Sequence, residues 1–272
     1  MAAVADELKH ATAELAQSGA ESPRLDAELL LAHALGIDRA GLVMAADEQL
    51  SGDIRTRYLA LLVRRVRHEP VAYILGRKGF RRIDLAVDPR VLIPRPETEL
   101  LVEVGLTLPP RTRVIDVGTG SGAIALALKQ ERPDLEVTGV DVSAGALSVA
   151  RLNATRLRLD VRFLESDLLA GAGEGYGAVL ANLPYVGVTA PLPPDVAQYE
   201  PPAALFSGLD GLDHVRRLAA QIRDRDAVEL VALEIGFDQA DAVAAMVAEA
   251  GFPKVERIAD LAGHDRVIVG RR

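Results

Sequence analysis

The residues best suited to chemistry in this 272-residue chain stand where apolar runs end. Asn182-Leu183-Pro184-Tyr185 follows directly on the run Ala178–Ala181. A planar amide or exocyclic amine is a poor nucleophile because its nitrogen lone pair is delocalised. Two acceptors on its N–H groups hold that nitrogen in line with an incoming methyl group and stabilise the positive charge that develops there. The Asn182 side chain and a backbone carbonyl near Leu183 or Pro184 supply such a pair. Pro184 fixes φ and helps turn the carbonyl inward, and Tyr185 offers a flat face for a planar group to stack on. No general base of shifted pKa is needed, because the nitrogen becomes acidic only as the methyl group arrives.

A second constellation is the loop Gly118-Thr119-Gly120-Ser121-Gly122 between the apolar run Arg113–Val117 and a helical pattern. Glycines suit a tight turn with positive φ and a ligand lying against bare main chain. The helix behind them offers unpaired N–H groups, so a nucleotide-like ligand is expected here. The loop by itself leaves the ligand open, since Gly118-x-Gly120-x-x-Ala123 also satisfies the dinucleotide pattern. Asp141, ending the next strand, binds ribose hydroxyls under either reading. Two further acids separate them. Asp116, just before the glycines, would repel a pyrophosphate but suits a cationic ammonium group. Asp167, in "ESDLL", can accept from the exocyclic amine of an adenine. An adenine, a ribose and a cationic amino-acid tail together describe S-adenosylmethionine.

These residues need a scaffold that brings strand ends together. Residues 3–67 read as helices: Ser22-Pro23 starts one that stops at Gly36, and another runs from about Gly52 to His68. From Pro70 the period shifts toward two, and "AYILG", "FRRIDLAV" and "RVLIP" predict a hairpin. A helix entered through two prolines covers Thr98 to Leu108. Strands are then expected at Arg113–Val117, Glu136–Asp141, 161–164, Ala178–Ala181, 228–235, 255–258 and 266–269, with helices between most of them. This α/β alternation predicts a doubly wound, mostly parallel seven-stranded sheet. The short "ADLAGHD" between the last two strands allows no helical crossover, so they form an antiparallel edge hairpin. In such a sheet the fourth strand lies beside the first, which puts Asn182 across the switch point from the glycine loop.

Composition narrows the setting. The chain has no cysteine, which excludes disulfides and thiolate ligands, and its five histidines are scattered without metal-ligand spacing. No metal is expected. No apolar run spans a bilayer and the N-terminus has no signal-peptide pattern, so a cytoplasmic protein is expected. A net charge of −8 argues against gripping a long nucleic-acid backbone. Residues 64–82 dissent, with seven basic residues against the single acid Glu69. This stretch reads equally well as a solvated face or as a docking surface for an acidic protein or RNA.

Asn182-Leu183-Pro184-Tyr185 resembles the Asn-Pro-Pro-Tyr motif of methyltransferases that act on planar nitrogens, including adenine and protein-glutamine methyltransferases. "PVAYILGRKGF", "VLIPRPETE", "YEPPAALFSGLDGL" and "LEIG" narrow the resemblance to the peptide chain release factor glutamine methyltransferases, the PrmC/HemK family. It extends over nearly the whole chain. The resemblance implies methyl transfer from S-adenosylmethionine to the glutamine side-chain amide in the Gly-Gly-Gln motif of class I release factors. It assigns the glycine loop, Asp141, Asp167 and Leu168 to the cofactor, and Asn182, Leu183, Pro184 and Tyr185 to the glutamine. It also divides the chain into an N-terminal helical domain over 1–69, a hairpin linker over 70–95 and a methyltransferase domain over 96–272. Leu183 departs from the proline usual in the family, which bears on the rigidity of the loop. The same chemistry on an adenine amine of DNA or RNA is the alternative, and a nicotinamide-dependent oxidoreductase is the rival of another class.

Overall fold

The computed structural model describes residues 3–272. It divides into two compact units, one running to Arg77 and taking in Leu192–Tyr199, the other holding Lys78–Pro191 and Glu200–Arg272. The boundary at Arg77 falls inside the stretch expected to be a linker. Among the described residues no helix is long and apolar enough to cross a membrane.

The first unit carries α1 (Val4–Gln17), α2 (Pro23–Leu35), α3 (Arg39–Met44), α4 (Gly52–Val66) and α5 (Val71–Leu75). α2 begins on Pro23 and ends at Gly36 in the left-handed conformation, φ +71°, although Ser22 makes no side-chain cap. Ser51 does cap α4, accepting from the Ile54 N–H. Leu15, Leu30, Leu31, Tyr58 and Leu62 form the buried centre. Within it Arg65 donates to Asp26 at 2.7 Å, both side chains nearly enclosed. Arg64 forks onto Glu69. These two members of the basic stretch are therefore engaged inside the unit, and Arg65 is no part of a docking surface.

"AYILG" is helical rather than the strand expected. The Pro70 carbonyl accepts from the N–H groups of both Tyr73 and Ile74, closing a helical turn that Gly76 ends at φ +68°. A short apolar run fits either period, and here the local hydrogen bonds decide.

The second unit opens with a two-stranded hairpin, β1 (Arg77–Phe80) and β2 (Ile83–Ala86). "RVLIP" adds no strand to it. The Ile93 N–H goes to the Glu200 carboxylate instead of a ladder partner, and Arg95 pairs with the same buried acid. A single 3₁₀ turn, Pro96–Thr98, leads into α6 (Glu99–Leu106).

The chain then lays down β3 (Arg113–Val117), α7 (Ala123–Glu131), β4 (Glu136–Asp141), α8 (Ala144–Leu157), β5 (Arg162–Glu165) and β6 (Ala178–Ala181). After α9 (Pro194–Tyr199), which groups with the first unit, come α10 (Asp213–Arg223), β7 (Leu230–Glu234), α11 (Ala240–Glu249), β8 (Lys254–Ala259) and β9 (Asp265–Arg271). The sheet order is β5-β4-β3-β6-β7-β9-β8. The first five strands in that order are parallel, and β9 runs antiparallel to both β7 and β8. This is the doubly wound sheet with an antiparallel edge that the sequence predicts. The insertion of β9 between β7 and β8 is a feature the sequence pattern leaves open.

Register fixes the functional edge. Val117 pairs with Ala181, so Gly118 and Asn182 leave the sheet side by side. Ala181 pairs in turn with Leu233, which sets Glu234 next to Asn182 on the other side.

Candidate active site

An open cleft lies at the carboxyl ends of β3, β4 and β6. Its walls include Gly118, Asp141, Asp167, Leu168, Asn182 and Pro184. Most residues singled out in the sequence thus converge, as a switch-point crevice requires.

The glycine loop turns through three left-handed positions, Gly118, Gly120 and Gly122 at φ +73°, +56° and +83°. A Cβ on Gly118 would stand 3.2 Å from Leu183 Cδ2, so the loop and the strand end beside it approach too closely for a larger residue. Gly122 serves another purpose, because a Cβ there would meet Leu126 at 2.9 Å and Ala150 at 3.3 Å. It allows helix packing and does not wall the cleft. Thr119 and Ser121 are buried between the glycines while still lining the cleft.

Asp141 is fastened by backbone. Its Oδ2 accepts from the Gly120 N–H at 2.9 Å and its Oδ1 from the Ser143 N–H at 2.8 Å. Burial raises its pKa despite these bonds. Asn153, which no sequence signal marked, ties the loop to the hairpin. Its Nδ2 donates to the carbonyls of Ser121 and Ala86, each at 3.0 Å, and its Oδ1 accepts from the Ala86 N–H.

Asp116 sits elsewhere than its sequence position suggests. It is wholly buried and is not a wall of the cleft. Its Oδ2 accepts from the Thr119 hydroxyl at 2.6 Å and from the Ala125 N–H at 3.2 Å, which ties the loop to the first turn of α7. Its Oδ1 has no partner. Burial pushes the carboxyl up to about 7, and the nearby charge of Asp141 acts in the same direction.

At the far side of the cleft Asp167 is exposed and paired with Arg217. Leu168 is buried and held at φ +53°, a costly conformation for leucine, with its carbonyl accepting from the Ser166 hydroxyl at 2.8 Å. His214, also missed in the sequence, lines this end with its Nδ1 2.6 Å from the Ser207 hydroxyl. Burial and the charge of Arg217 lower its pKa, against the opposing charges of Asp167 and Asp213.

The motif after β6 divides between cleft and core. Asn182 lines the cleft and donates from Nδ2 to the Thr98 hydroxyl at 3.0 Å. Leu183 also lines the cleft, and its side chain, 4% exposed, packs in the core with Cδ2 close to Gly118. Pro184 lines the cleft, whereas Tyr185 does not. The Tyr185 side chain is half-buried, and burial together with the charge of Glu234 pushes its phenol up to about 12. Its carbonyl accepts from Gln239 Nε2 at 2.9 Å. Gln239 also donates to the Asp210 carbonyl and accepts from the Gly236 N–H, clamping three loops.

Thr98, Glu234 and Gln239 are the residues around the motif that the sequence did not place. Thr98 and Glu234 stand in the "PETE" and "LEIG" stretches that carry the family resemblance, and only the folded register brings them to Asn182.

Comparison with known proteins gives the family and the fold. Residues 6–76 match the family model of the PrmC N-terminal domain, and residues 96–190 that of the methyltransferase small domain. The release factor glutamine methyltransferase of Koribacter versatilis (strain Ellin345) is 41% identical over 273 residues, covering 97% of this chain and 95% of the relative. That of Xylella fastidiosa (strain Temecula1) is 45% identical over 256 residues, covering 91% and 93%. A crystal structure of a methyltransferase from Pyrococcus furiosus superimposes with a TM-score of 0.53 at 16% identity. It covers 70% of this chain and 88% of that one, and speaks for the fold alone. The extent and level of sequence identity make the chain a member of the release factor glutamine methyltransferase family.

Proposed function

We propose that this protein transfers a methyl group from S-adenosylmethionine to the side-chain amide nitrogen of the glutamine in the Gly-Gly-Gln motif of class I peptide chain release factors. The observation that carries the reading is Asn182, whose Nδ2 is bound to Thr98 so that Oδ1 is left for the cleft. That oxygen accepts one N–H of the substrate amide, and the carbonyl of Leu183 or Pro184 accepts the other. The two acceptors orient the nitrogen and stabilise its developing positive charge. Tyr185, which does not line the cleft, fixes the turn after Pro184 through its carbonyl, which accepts from Gln239.

The residues present fit the cofactor. Gly118 and Gly120 leave a wall without Cβ atoms and Asp141 keeps a second lone pair on each oxygen for ribose hydroxyls, whereas Asp116, wholly buried and off the cleft wall, supports the loop through Thr119 and Ala125. Asp167 and Leu168 face the adenine end of the cleft. When bound, the sulfonium supplies an electrophilic methyl group and leaves as the neutral thioether S-adenosylhomocysteine.

Release factors act in translation, which places the work in the cytoplasm. Direct DNA binding is not expected, because the chain is acidic and its basic stretch is partly engaged in internal pairs. Incubation with labelled cofactor and either a release factor or duplex DNA tests the reading, with mass spectrometry locating one added methyl on the Gly-Gly-Gln glutamine. Label in the DNA alone would refute it. Asn182→Ala should bind the cofactor within a few fold of wild type and lose on the order of 3 kcal/mol or more of transition-state stabilisation.

A further inference from the structure

The stretch between β2 and α6 lines the cleft without belonging to any strand. Arg90 stands at one end, where a Cβ on Gly145 would lie 3.5 Å from its Cδ, close to the turn at Ser143 that fastens Asp141. Thr98 stands at the other end and accepts from Asn182 Nδ2 at 3.0 Å. Leu92 and Pro94 face the cleft between them. This strap therefore runs from the Asp141 end to the Asn182 end, past both ligands of the proposed reaction. With no ladder to support it, its backbone has to be held by other groups. Glu200, only 4% exposed, is the group that does so. Its Oε2 accepts from the Ile93 N–H at 3.2 Å and its Oε1 from the Arg95 guanidinium. The Arg95 carbonyl in turn accepts from the Thr98 N–H at 3.2 Å, closing the 3₁₀ turn. Polar contacts thus lead from Glu200 through Arg95 and Thr98 to Asn182, all within the second unit.

We infer that Glu200 is a positioning residue for methyl transfer and that its two oxygens serve different parts of the cleft. The bond to Ile93 fixes the strap between Arg90 and Pro94, along the cofactor. The bond to Arg95 fixes the turn that carries Thr98, and through Thr98 the Asn182 amide. Glu200 itself is not a wall of the cleft and so acts only through these groups. A charge-assisted bond to a guanidinium holds its partner more firmly than a neutral one. That firmness matters at Asn182, because a displacement of about 1 Å at an orienting group can cost about 100-fold in rate. The inference rests on the reading of Asn182 as the acceptor of the substrate amide.

The test combines steady-state methylation of a Gly-Gly-Gln peptide with calorimetry of S-adenosylhomocysteine binding and amide hydrogen exchange at Ile93. Glu200→Gln keeps an oxygen for the Ile93 N–H but turns an NH₂ group toward Arg95. It should lower kcat about tenfold or more, leave the Kd within about threefold and leave Ile93 protected. Glu200→Ala removes both bonds and should in addition weaken binding about fivefold or more and speed exchange at Ile93. Arg95→Met should repeat the kinetics of Glu200→Gln, and it carries the test if that variant does not fold. Arg95→Lys, which restores a cation, should recover most of the rate. Transfer by Glu200→Gln, or by Arg95→Met in its place, within twofold of wild type overturns the inference. So does equal weakening of binding by Glu200→Gln and Glu200→Ala, which would mean general loosening of the fold rather than two separate pins. Asn182→Ala, run alongside, separates the two levels: if it too retains transfer, the reading of Asn182 itself fails, whereas if it is inactive while Glu200→Gln is active, only the role of Glu200 does.

Discussion

Replacing Asp116 with asparagine should stabilise the cofactor-free protein at alkaline pH and change it much less in acid. Asparagine keeps an oxygen for the Thr119 hydroxyl and the Ala125 N–H but carries no charge into a site with no exposure to water. In the folded protein burial lifts the carboxyl from 3.8 to about 7, so the native state holds this proton more tightly than the unfolded chain does. Wild-type stability from this group is therefore fully present below about pH 4 and is lost as pH rises through about 7. At about 1.36 kcal/mol per pKa unit the full loss is roughly 4 kcal/mol, of which about 2–3 kcal/mol falls between pH 5 and pH 8. Urea denaturation followed by circular dichroism at those two pH values measures it. The stability gap between Asp116→Asn and wild type should widen by about 2–3 kcal/mol from pH 5 to pH 8. Glu234, also pushed up to about 7, is common to both proteins and cancels in the difference. A gap that is the same at both pH values would show that Asp116 titrates as an ordinary acid.

Other substitutions probe the remaining contacts. Gly118→Ala combines an unfavourable φ of +73° with a Cβ 3.2 Å from Leu183 Cδ2, and should cost about 1–2 kcal/mol and weaken cofactor binding. Leu183→Ala in that background should recover the steric part, and a double-mutant cycle without coupling would count against the packing argument. Gln239→Glu removes the donor shared by the Tyr185 and Asp210 carbonyls and sets a carboxylate against them. Peptide methylation should fall about tenfold or more with cofactor Kd kept, and an unchanged kcat/KM would show that the clamp is dispensable. Arg65→Ala leaves Asp26 buried without its partner and should destabilise the helical unit by about 3–5 kcal/mol, read as faster limited proteolysis of residues 3–77. Cleavage at the wild-type rate would return Arg65 to the list of surface residues.

Much of this was legible without coordinates. Alternation of apolar runs and amphipathic segments marks the sheet, and glycines after one strand with Asn182-Leu183-Pro184-Tyr185 after another mark its ligand-binding edge. These signals are local, since they depend on side-chain period and on the φ values that glycine and proline permit. "AYILG" went the other way because four apolar residues carry no period, and the Pro70 carbonyl settled it as a helix. Asp116 also misled, since its place in the chain says that it lies near the loop but not which side of the loop it faces.

What the sequence determined by itself is the set of elements and the reaction they suit: a strand end that presents acceptors to a planar amide, beside a loop that accommodates a nucleotide-like methyl donor. Only the tertiary structure decided which residues stand behind them. Thr98, Asn153 and Gln239 come from three separate segments, and their hydrogen-bonding groups find partners through packing, while register brings Glu234 beside Asn182. A buried polar side chain must be satisfied by whatever the fold brings near it, and that neighbour, 84 residues away in the case of Asn182 and Thr98, leaves no trace in local spacing.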